Sequence, residues 1–489
     1  LIFESISNNE ELRVNKEGGS MSKVINVDPI TRMSGFLEIT AKVEENTVID
    51  AATSGLLFRG FEKMLRGRSP LDAIYFTERI CGICSTAHSM ASTLALEDAL
   101  KISPNENDKY IRDILHGFEF LQNHIRHFYL YITPSYVKLP DINPISPQDS
   151  KDFRLPKTLD EKISKNYIRA IEYSRLAHEG LAVLGGKAPH NHGIFVGGVT
   201  VNIDAYKLEK IRSIILAIKE FTNLMLEDAY TIAKYYPDYF KKGITYPYFM
   251  TYGSFNNYYE KDLIYVNPGV SIDGKVYSLD SNKITENIRY AWYISDKNVK
   301  KPGQDAIEEV DISKNDAYSF IKAPRYEGLP MQVGPLARLV INGEYKGGNG
   351  TMDRIIARAI ETKRIAEIMG KLCQRVQLKN NNQGIYSIPD KAYGVGLIDT
   401  TRGALGHWVS IENKIIKNYD LITPTMWNLS PKDEKGLYGV TEKALVGTEL
   451  KNTEDPIDLG RIARAFDPCV SCATHVMVDG EKNMGIRIL

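Results

Sequence analysis

Arg79-Ile80-Cys81-Gly82-Ile83-Cys84-Ser85-Thr86-Ala87-His88 has a counterpart near the other end of the chain, Asp467-Pro468-Cys469-Val470-Ser471-Cys472-Ala473-Thr474-His475. Each is a CxxC pair followed by a histidine. Two residues between cysteines let both sulfurs turn toward one metal, so the two pairs together supply four soft thiolate ligands. The chain holds five cysteines, and these pairs use four of them. A site shared by both pairs has to be closed by the whole fold, which ties the two ends of the chain into one body.

The bulk composition suits such a body. Over 489 residues, 43% are hydrophobic and 25% charged, ordinary values for a globular chain with a sizeable core. The 61 basic and 61 acidic residues cancel, so there is no electrostatic footprint for nucleic acid or for an anionic membrane surface. No apolar run reaches the roughly 18 residues needed to cross a bilayer, and the stretch from Leu1 to Ser20 is polar and acidic, unlike a secretory signal. Residues 1–20 read as a mobile arm, 21–475 as one continuous domain and 476–489 as a separate tail. Cys373 falls inside a predicted helix as a structural thiol. So few cysteines, and an odd number, argue against a disulfide scaffold.

Periodicity places the motifs on elements. Leu37, Ile39, Ala41 and Val43 alternate with Phe36, Glu38, Thr40 and Lys42, and Glu45-Asn46 supplies a turn, which predicts a hairpin within residues 23–58. A helix rich in small residues is predicted to start at the first cysteine pair and run over 85–100. Longer helices are predicted at about 108–132, 158–184, 205–237 and 350–377. In the 205–237 helix Ile211, Ile214, Ile215, Ile218, Phe221 and Met225 recur at helical spacing. Short strands are expected between 243 and 300. The fold class is therefore α+β, predominantly α-helical, with long helices around a buried metal centre and small peripheral β regions.

Three readings of the cysteine pairs compete: a structural zinc site, a dithiol redox pair, and a thiolate-built catalytic centre in nickel or iron chemistry. Zinc-ribbon pairs generally lie within a few tens of residues of one another, because they staple a unit that lacks a core. Pairs embedded at opposite ends of a large helical body favour a buried reaction centre. His124 and His127, one helical turn apart, look like a metal face but suit packing or interface roles better. The glycine-rich turn Gly185-Gly186-Lys187-Ala188-Pro189-His190-Asn191-His192 lacks the GKS or GKT ending of a phosphate-binding loop.

Motifs beyond the cysteines make a resemblance specific. They are Val27-Asp28-Pro29-Ile30-Thr31-Arg32, Phe58-Arg59-Gly60-Phe61-Glu62, Gly67-Arg68-Ser69-Pro70-Leu71-Asp72-Ala73, Ala323-Pro324-Arg325-Tyr326, Val333-Gly334-Pro335-Leu336-Ala337, Arg402-Gly403-Ala404-Leu405-Gly406-His407-Trp408 and Pro424-Thr425-Met426-Trp427-Asn428. In this order, with the RxCGxCxxxH and DPCxxCxxH segments, they resemble the large, catalytic subunit of nickel-iron hydrogenases of the respiratory, uptake-type group, from Asn26 to Leu489. The resemblance implies that Cys81, Cys84, Cys469 and Cys472 bind nickel, and that Cys84 and Cys472 also bridge to an iron carrying CO and CN ligands. It implies that His88 tunes a bridging sulfur by hydrogen bonding, that Arg402 and Asp467 form a charged canopy, and that Thr425 bonds a cyanide. Glu62, His475 and the backbone carbonyl of Leu429 match a second site for a hard cation, magnesium or iron. The turn with His190 is expected to face a partner subunit.

The sequence departs from the family pattern in places. Ser34, in Arg32-Met33-Ser34-Gly35-Phe36, stands where a proton-accepting glutamate is usual; a hydroxyl passes a proton along but cannot store one near neutral pH. Glu78, where many relatives have glutamine, is the expected replacement acceptor, with Glu62 also close in sequence. Asn123 stands where an aspartate often completes the canopy, and Thr401 where proline is usual. The implied activity is reversible cleavage of H2 into protons and electrons, the electrons leaving through an iron-sulfur small subunit toward a membrane cytochrome or other acceptor. The implied location is the extracytoplasmic face of a membrane, held there through partner subunits. A maturation protease is expected to remove residues 476–489 after His475. A hydrogen-sensing regulatory protein with the same site is the alternative.

Overall fold

The computed structural model describes residues 22–140, 152–304, 309–379 and 384–470. The helix that begins at the first cysteine pair, Ser85–Leu100, is built from small and apolar side chains, and that composition lets a sheet lie directly on it. The sheet is an antiparallel meander of Lys391–Thr400, Gly403–Glu412 and Ile415–Ile422. Its first strand carries Gly394 and Gly396 against the helix. A Cβ on Gly394 would sit 2.0 Å from the Ala95 carbonyl oxygen, and one on Gly396 would sit 2.0 Å from that of Ala91. Only glycine permits so close an approach of strand to helix. This sheet is absent from the sequence-based expectation. Its first turn, Thr401-Arg402, follows the Thr400–Gly403 pair and aims Arg402 at the cysteines.

The predicted helices form as Glu106–Arg126, Lys157–Gly185, Ala205–Tyr235 and Thr351–Arg375; three match their expected ends within two residues, and the first reaches its expected end only through the π turn that follows it. Their starts follow from capping chemistry. The Asn105 side chain accepts from the Asp108 amide at 3.0 Å, and Asp204 accepts from Lys207 at 2.8 Å, each satisfying a donor that the first turn leaves free. The central helix, Glu106–Arg126, continues as a wider π turn through His127–Ile132 and packs between the second and fourth of these helices. Ile211, Ile214, Ile215, Ile218, Phe221 and Met225 are all buried, as their spacing requires. Cys81, Cys84 and Cys469 belong to the largest apolar cluster among the described residues.

Ahead of the first cysteine pair, Lys23–Val27, Leu37–Glu44 and Thr47–Gly55 form a three-stranded antiparallel sheet. Leu37, Ile39, Ala41 and Val43 are buried, as the alternation predicts, and Glu45 and Asn46 adopt left-handed conformations at the turn. Contacts across the sequence then close the body. Arg464 reaches the Thr31 carbonyl at 2.8 Å, the Val48 amide donates to Thr448 at 3.0 Å, and Ser34 pairs in parallel with Cys469. The two ends of the described chain therefore lie in one body. No helix among the described residues is long and apolar enough to cross a membrane. The expected arm 1–20 and tail 476–489, with Cys472 and His475, lie outside the described residues.

Candidate metal centre

Cys81 lies in the turn after the short helix Asp72–Glu78, and Cys84 caps the helix Ser85–Leu100. Arg59 fixes that turn by donating to the carbonyls of Arg79 and Ile80, the two residues just before Cys81. Cys469 arrives from the far end of the sequence, positioned by Thr425, whose hydroxyl accepts from its amide at 3.1 Å. It is also positioned by Ser34, whose carbonyl accepts from Val470 at 2.8 Å. The sulfurs of Cys81 and Cys469, 388 positions apart in sequence, are 3.4 Å apart. With Cys84 they form a group whose ligand atoms all lie within 4.8 Å of one another. All three are buried and none is in a disulfide. Convergent soft donors in a dry interior suit a thiolate-binding metal such as nickel, and fit the group the sequence motifs imply.

Above the sulfurs sits a locked set of charges. Arg402 donates through Nε to the Asp467 carbonyl at 2.9 Å and through one terminal nitrogen to Asn123 Oδ1 at 2.8 Å; that same nitrogen is 3.2 Å from Asp467 Oδ1. Asn123 Nδ2 in turn donates to Asp467 Oδ2 at 2.8 Å. Burial acts against both charges, yet Asp467 and the cysteines hold Arg402 well above the usual arginine range, and Arg402, His127 and Arg358 hold Asp467 well below the carboxylate range. The sequence reading missed Arg358, which pairs with Asp467 at 3.1 Å. Arg358 also contacts His124 Nδ1, and His124 Nε2 meets Glu361 at 2.7 Å. His124 is therefore a link in a buried charge network, while His127 bonds the Arg464 carbonyl; neither joins a metal-binding group among the described residues.

A small cavity with room for about one water-sized molecule lies beside Cys84, lined also by Ala87, His88, Thr400, Arg402, Leu405, Pro424 and Thr425. His88 meets His407 at 3.2 Å, and His407 meets the Tyr419 hydroxyl at 2.7 Å. Burial pushes the His88 imidazole down to about 4, with Cys469 opposing the shift and Arg59 adding to it, so the ring is neutral at ordinary pH. His407, on the middle strand of the meander sheet, is held through Tyr419 by the third strand, a contact that the sequence motif around it does not signal.

Of the second expected site, Glu62 and Leu429 lie among the described residues. Glu62 accepts from the Leu421 amide at 3.1 Å and from Lys322 at 3.4 Å. Burial works against its charge, and Lys322 and Lys300 overcome that to hold the carboxyl below its usual range. The backbone meeting Glu62 is Leu421's and not Leu429's, because the helix Phe61–Leu65 packs on the strand Ile415–Ile422. The Leu429 carbonyl instead accepts from Thr53 Oγ1 at 3.3 Å.

One face of the central helix carries further polar groups into the site. Glu119, Gln122 and Asn123 follow helical spacing: Glu119 accepts from Thr86 and Ala87, Gln122 donates to the Ile83 carbonyl at 3.2 Å, and Asn123 joins the canopy. Only Asn123 was singled out from sequence. A polar stripe at i, i+3, i+4 on a helix otherwise made of core residues is the signal that would have found the other two. Glu78 is fully buried, and burial pushes its carboxyl up to about 8; Ser89 and Arg79 oppose the shift, and Glu119 adds to it. Burial likewise pushes Glu119 up to about 7 against its donors Thr86 and Ala87 and the charge of Arg402.

Comparison with known proteins agrees with this geometry. Residues 59–154, 148–350 and 342–475 match the family described as nickel-dependent hydrogenase. The large subunit of the periplasmic [NiFeSe] hydrogenase of Desulfomicrobium baculatum is 33% identical, the match covering 93% of this chain and 95% of that protein. The large chain of the quinone-reactive Ni/Fe-hydrogenase of Wolinella succinogenes is 30% identical, over 94% of this chain and 96% of its own. The solved structure of the reduced Ni-Fe-Se hydrogenase from D. vulgaris Hildenborough is similar with a TM-score of 0.89 at 33% identity, covering 93% of this chain and 100% of that one. The chain thus belongs to the nickel-dependent hydrogenase family, as a large, catalytic subunit that oxidises H2.

Proposed function

We propose that this chain cleaves H2 reversibly and heterolytically, and that Cys81, Cys84, Cys469 and Cys472 are the residues that would hold a nickel-iron centre with CO and CN ligands on its iron. The observation that carries the reading is the meeting of three buried cysteine sulfurs, drawn from both ends of the chain, beneath a guanidinium. When bound, such a centre supplies the soft, electron-rich metal pair that polarises the H–H bond. The chain's own residues do the rest. Arg402 stays charged at any working pH and orients what enters the cavity, with Asp467 and Asn123 fixing its plane. His88, neutral beside His407, donates or accepts a hydrogen bond without adding charge. Thr425 offers its hydroxyl at the position matching the cyanide contact. Ser34 passes a proton without storing it, and Glu78 is a buried carboxyl suited to hold one.

A second, hard-cation site for magnesium or iron would rest on Glu62 and His475, with the Leu421 backbone a better candidate than Leu429. A cation there has to compete with Lys322 for the carboxylate. Cys373 is the one cysteine left over, so iron-sulfur clusters for the electrons belong on a small subunit. The names of the relatives, one periplasmic and one quinone-reactive, support a membrane-side acceptor such as a cytochrome, reached through partner subunits on the extracytoplasmic face. They are named as enzymes, which favours turnover over hydrogen sensing. The family match ends at residue 475, which supports removal of 476–489 by a maturation protease; the mass of the active subunit tests this, and an intact tail at full activity would refute it. For the central reading, nickel analysis of the purified heterodimer and infrared bands in the CO and CN region decide. Both are expected, and absence of nickel ends the proposal.

A further inference from the structure

Behind the cysteine pair lies a polar track that leads from Glu119 to Glu78. Glu119 is 1% exposed, and its two carboxylate oxygens accept from the Thr86 amide at 2.7 Å and the Ala87 amide at 3.0 Å. Ala87 lines the same cavity as Cys84 and Arg402, so the carboxylate sits one residue behind the cavity wall. The Thr86 hydroxyl bonds Glu119 as well. From there the contacts lead away from the cysteines. Asn191 Nδ2 donates to Thr86 Oγ1 at 3.3 Å and to Glu78 Oε1 at 3.5 Å, and Ser89 also bonds the Glu78 carboxyl. Glu78 ends its helix beside half-exposed Arg79, within reach of the field of Lys187, and its backbone bonds His190 on the glycine-rich turn.

We propose that protons travel between the cysteine-bound centre and the rim at Arg79 and His190 by way of Glu119, the Thr86 hydroxyl and Glu78, with Glu119 as the inner acceptor. Asn191, whose amide donates to both Thr86 and Glu78, is a positioning residue that holds the two together and carries no proton itself. The proposal rests on the hydrogenase reading and gives Glu78 the inner partner that Ser34 cannot replace. Each H2 yields two protons and two electrons; the electrons leave by the partner subunit, and the protons pass singly. As the donor's bond to hydrogen breaks, an O–H bond forms on Glu119, taking it from carboxylate to neutral acid. The proton then moves through the Thr86 hydroxyl to Glu78, Glu119 returns to carboxylate, and water at the edge of the expected partner interface takes the proton from Glu78. The donors around Glu119 are neutral amides and a hydroxyl, with Arg402 the cation acting on it and Glu78 the opposing carboxylate. Burial without an ion pair raises a carboxyl into the range where it can both take and release a proton near neutral pH, which supports the role.

Glu119 also sits at the amino end of the cysteine helix, where a negative group is stabilising whether or not it moves protons. Two substitutions separate these roles. Glu119→Gln preserves shape and an acceptor but cannot carry a proton, whereas Glu119→Asp is a poorer fit that can. The experiment uses the purified heterodimer, with nickel content and CO and CN infrared bands measured first, so that loss of the centre is told apart from loss of the route. With the centre intact, Glu119→Gln is expected to lower H2 oxidation and H2/D2O exchange about tenfold or more. It should also raise the solvent isotope effect and remove a protonated-carboxyl signal from the infrared redox difference spectrum, with Glu119→Asp recovering part of the exchange. Exchange at the wild-type rate in Glu119→Gln, or a Gln variant outperforming Asp, would overturn the proposal. If Glu119→Gln fails to assemble, Asn191→Ala decides: slowed exchange supports the route, and wild-type exchange refutes it.

Discussion

Asp467 and Glu119 are both buried carboxylates in the field of Arg402, yet the protein gives them opposite characters. Asp467 faces two guanidiniums, Arg402 at 3.2 Å and Arg358 at 3.1 Å, and is held as a permanent anion. Glu119 receives hydrogen bonds from neutral groups and is pushed up to about 7. Both face the same central helix, at Asn123 and at Glu119 itself, one turn apart. Desolvation is common to the two sites, so the partners decide the outcome: paired cations fix a charge in place, and neutral donors leave a proton free to come and go. A centre that splits H2 needs one environment of each kind, a rigid field over the open cavity and a proton store behind it.

The largest effect should come from dismantling the fixed side. Asp467→Asn leaves Arg402 and Arg358 buried without their counter-charge, a loss of about 3–5 kcal/mol when one partner of a buried pair is removed. Denaturation of the purified protein is expected to shift by that amount, together with near-complete loss of H2 oxidation. A variant as stable as wild type would show that the canopy is not the electrostatic keystone of this region.

The labile side makes a smaller prediction with a definite sign. Glu119 titrates at about 7 in the fold against an ordinary value of 4.5. Between these values the folded chain keeps a proton that the unfolded chain has released, so stability falls as pH rises across that window and levels off above it. The contribution approaches roughly 3 kcal/mol. Glu119→Gln removes it, so the variant should gain on wild type between about pH 5 and 7.5 when denaturation midpoints are compared. Glu78, pushed up to about 8 by burial with a contribution from Glu119, should titrate somewhat lower in the variant, which adds to the same gain. Parallel pH profiles for the two proteins would place Glu119 among ordinary carboxylates.

Sequence spacing was enough to point to the sulfurs of Cys81, Cys84 and Cys469, because a CxxC pair is local, and enough to place the long helices, because their apolar periodicity is local too. The canopy was legible only through motif resemblance, and incompletely. Arg358 and Glu361 lie on a helix whose pattern reads as amphipathic, and nothing within one element reveals that its charged residues point inward. The meander sheet escaped for a related reason. Its middle strand, Gly403–Glu412, is buried along nearly its whole length and lacks the alternation of a half-exposed strand, while the glycines of its first strand are explained only by the helix they press against. Leu429 was assigned to Glu62 by position within a motif, and the strand register brought Leu421 there instead. Glu119 was passed over because a single glutamate on a long helix ordinarily faces water.

Converting one environment toward the other is the mildest test and the most informative. Asn123 accepts from Arg402 and donates to Asp467, both at 2.8 Å, a pair of roles that an amide fills and an ionised carboxylate does not. In Asn123→Asp two carboxylates meet where one donor stood, so that site either takes up a proton or splays apart, and the canopy acquires the labile character now confined to Glu119. The centre should still assemble, since no sulfur contact is touched. Turnover is expected to change a few-fold, about 1 kcal/mol in barrier height, with a new inflection in the pH profile of H2 oxidation and an altered response to oxygen. The inflection matters more than the rate, because a purely steric disturbance would lower turnover equally at every pH. A variant matching wild type in rate, pH profile and oxygen response would mean that the amide at position 123 serves packing alone, and that Arg402 and Arg358 keep Asp467 ionised without its help.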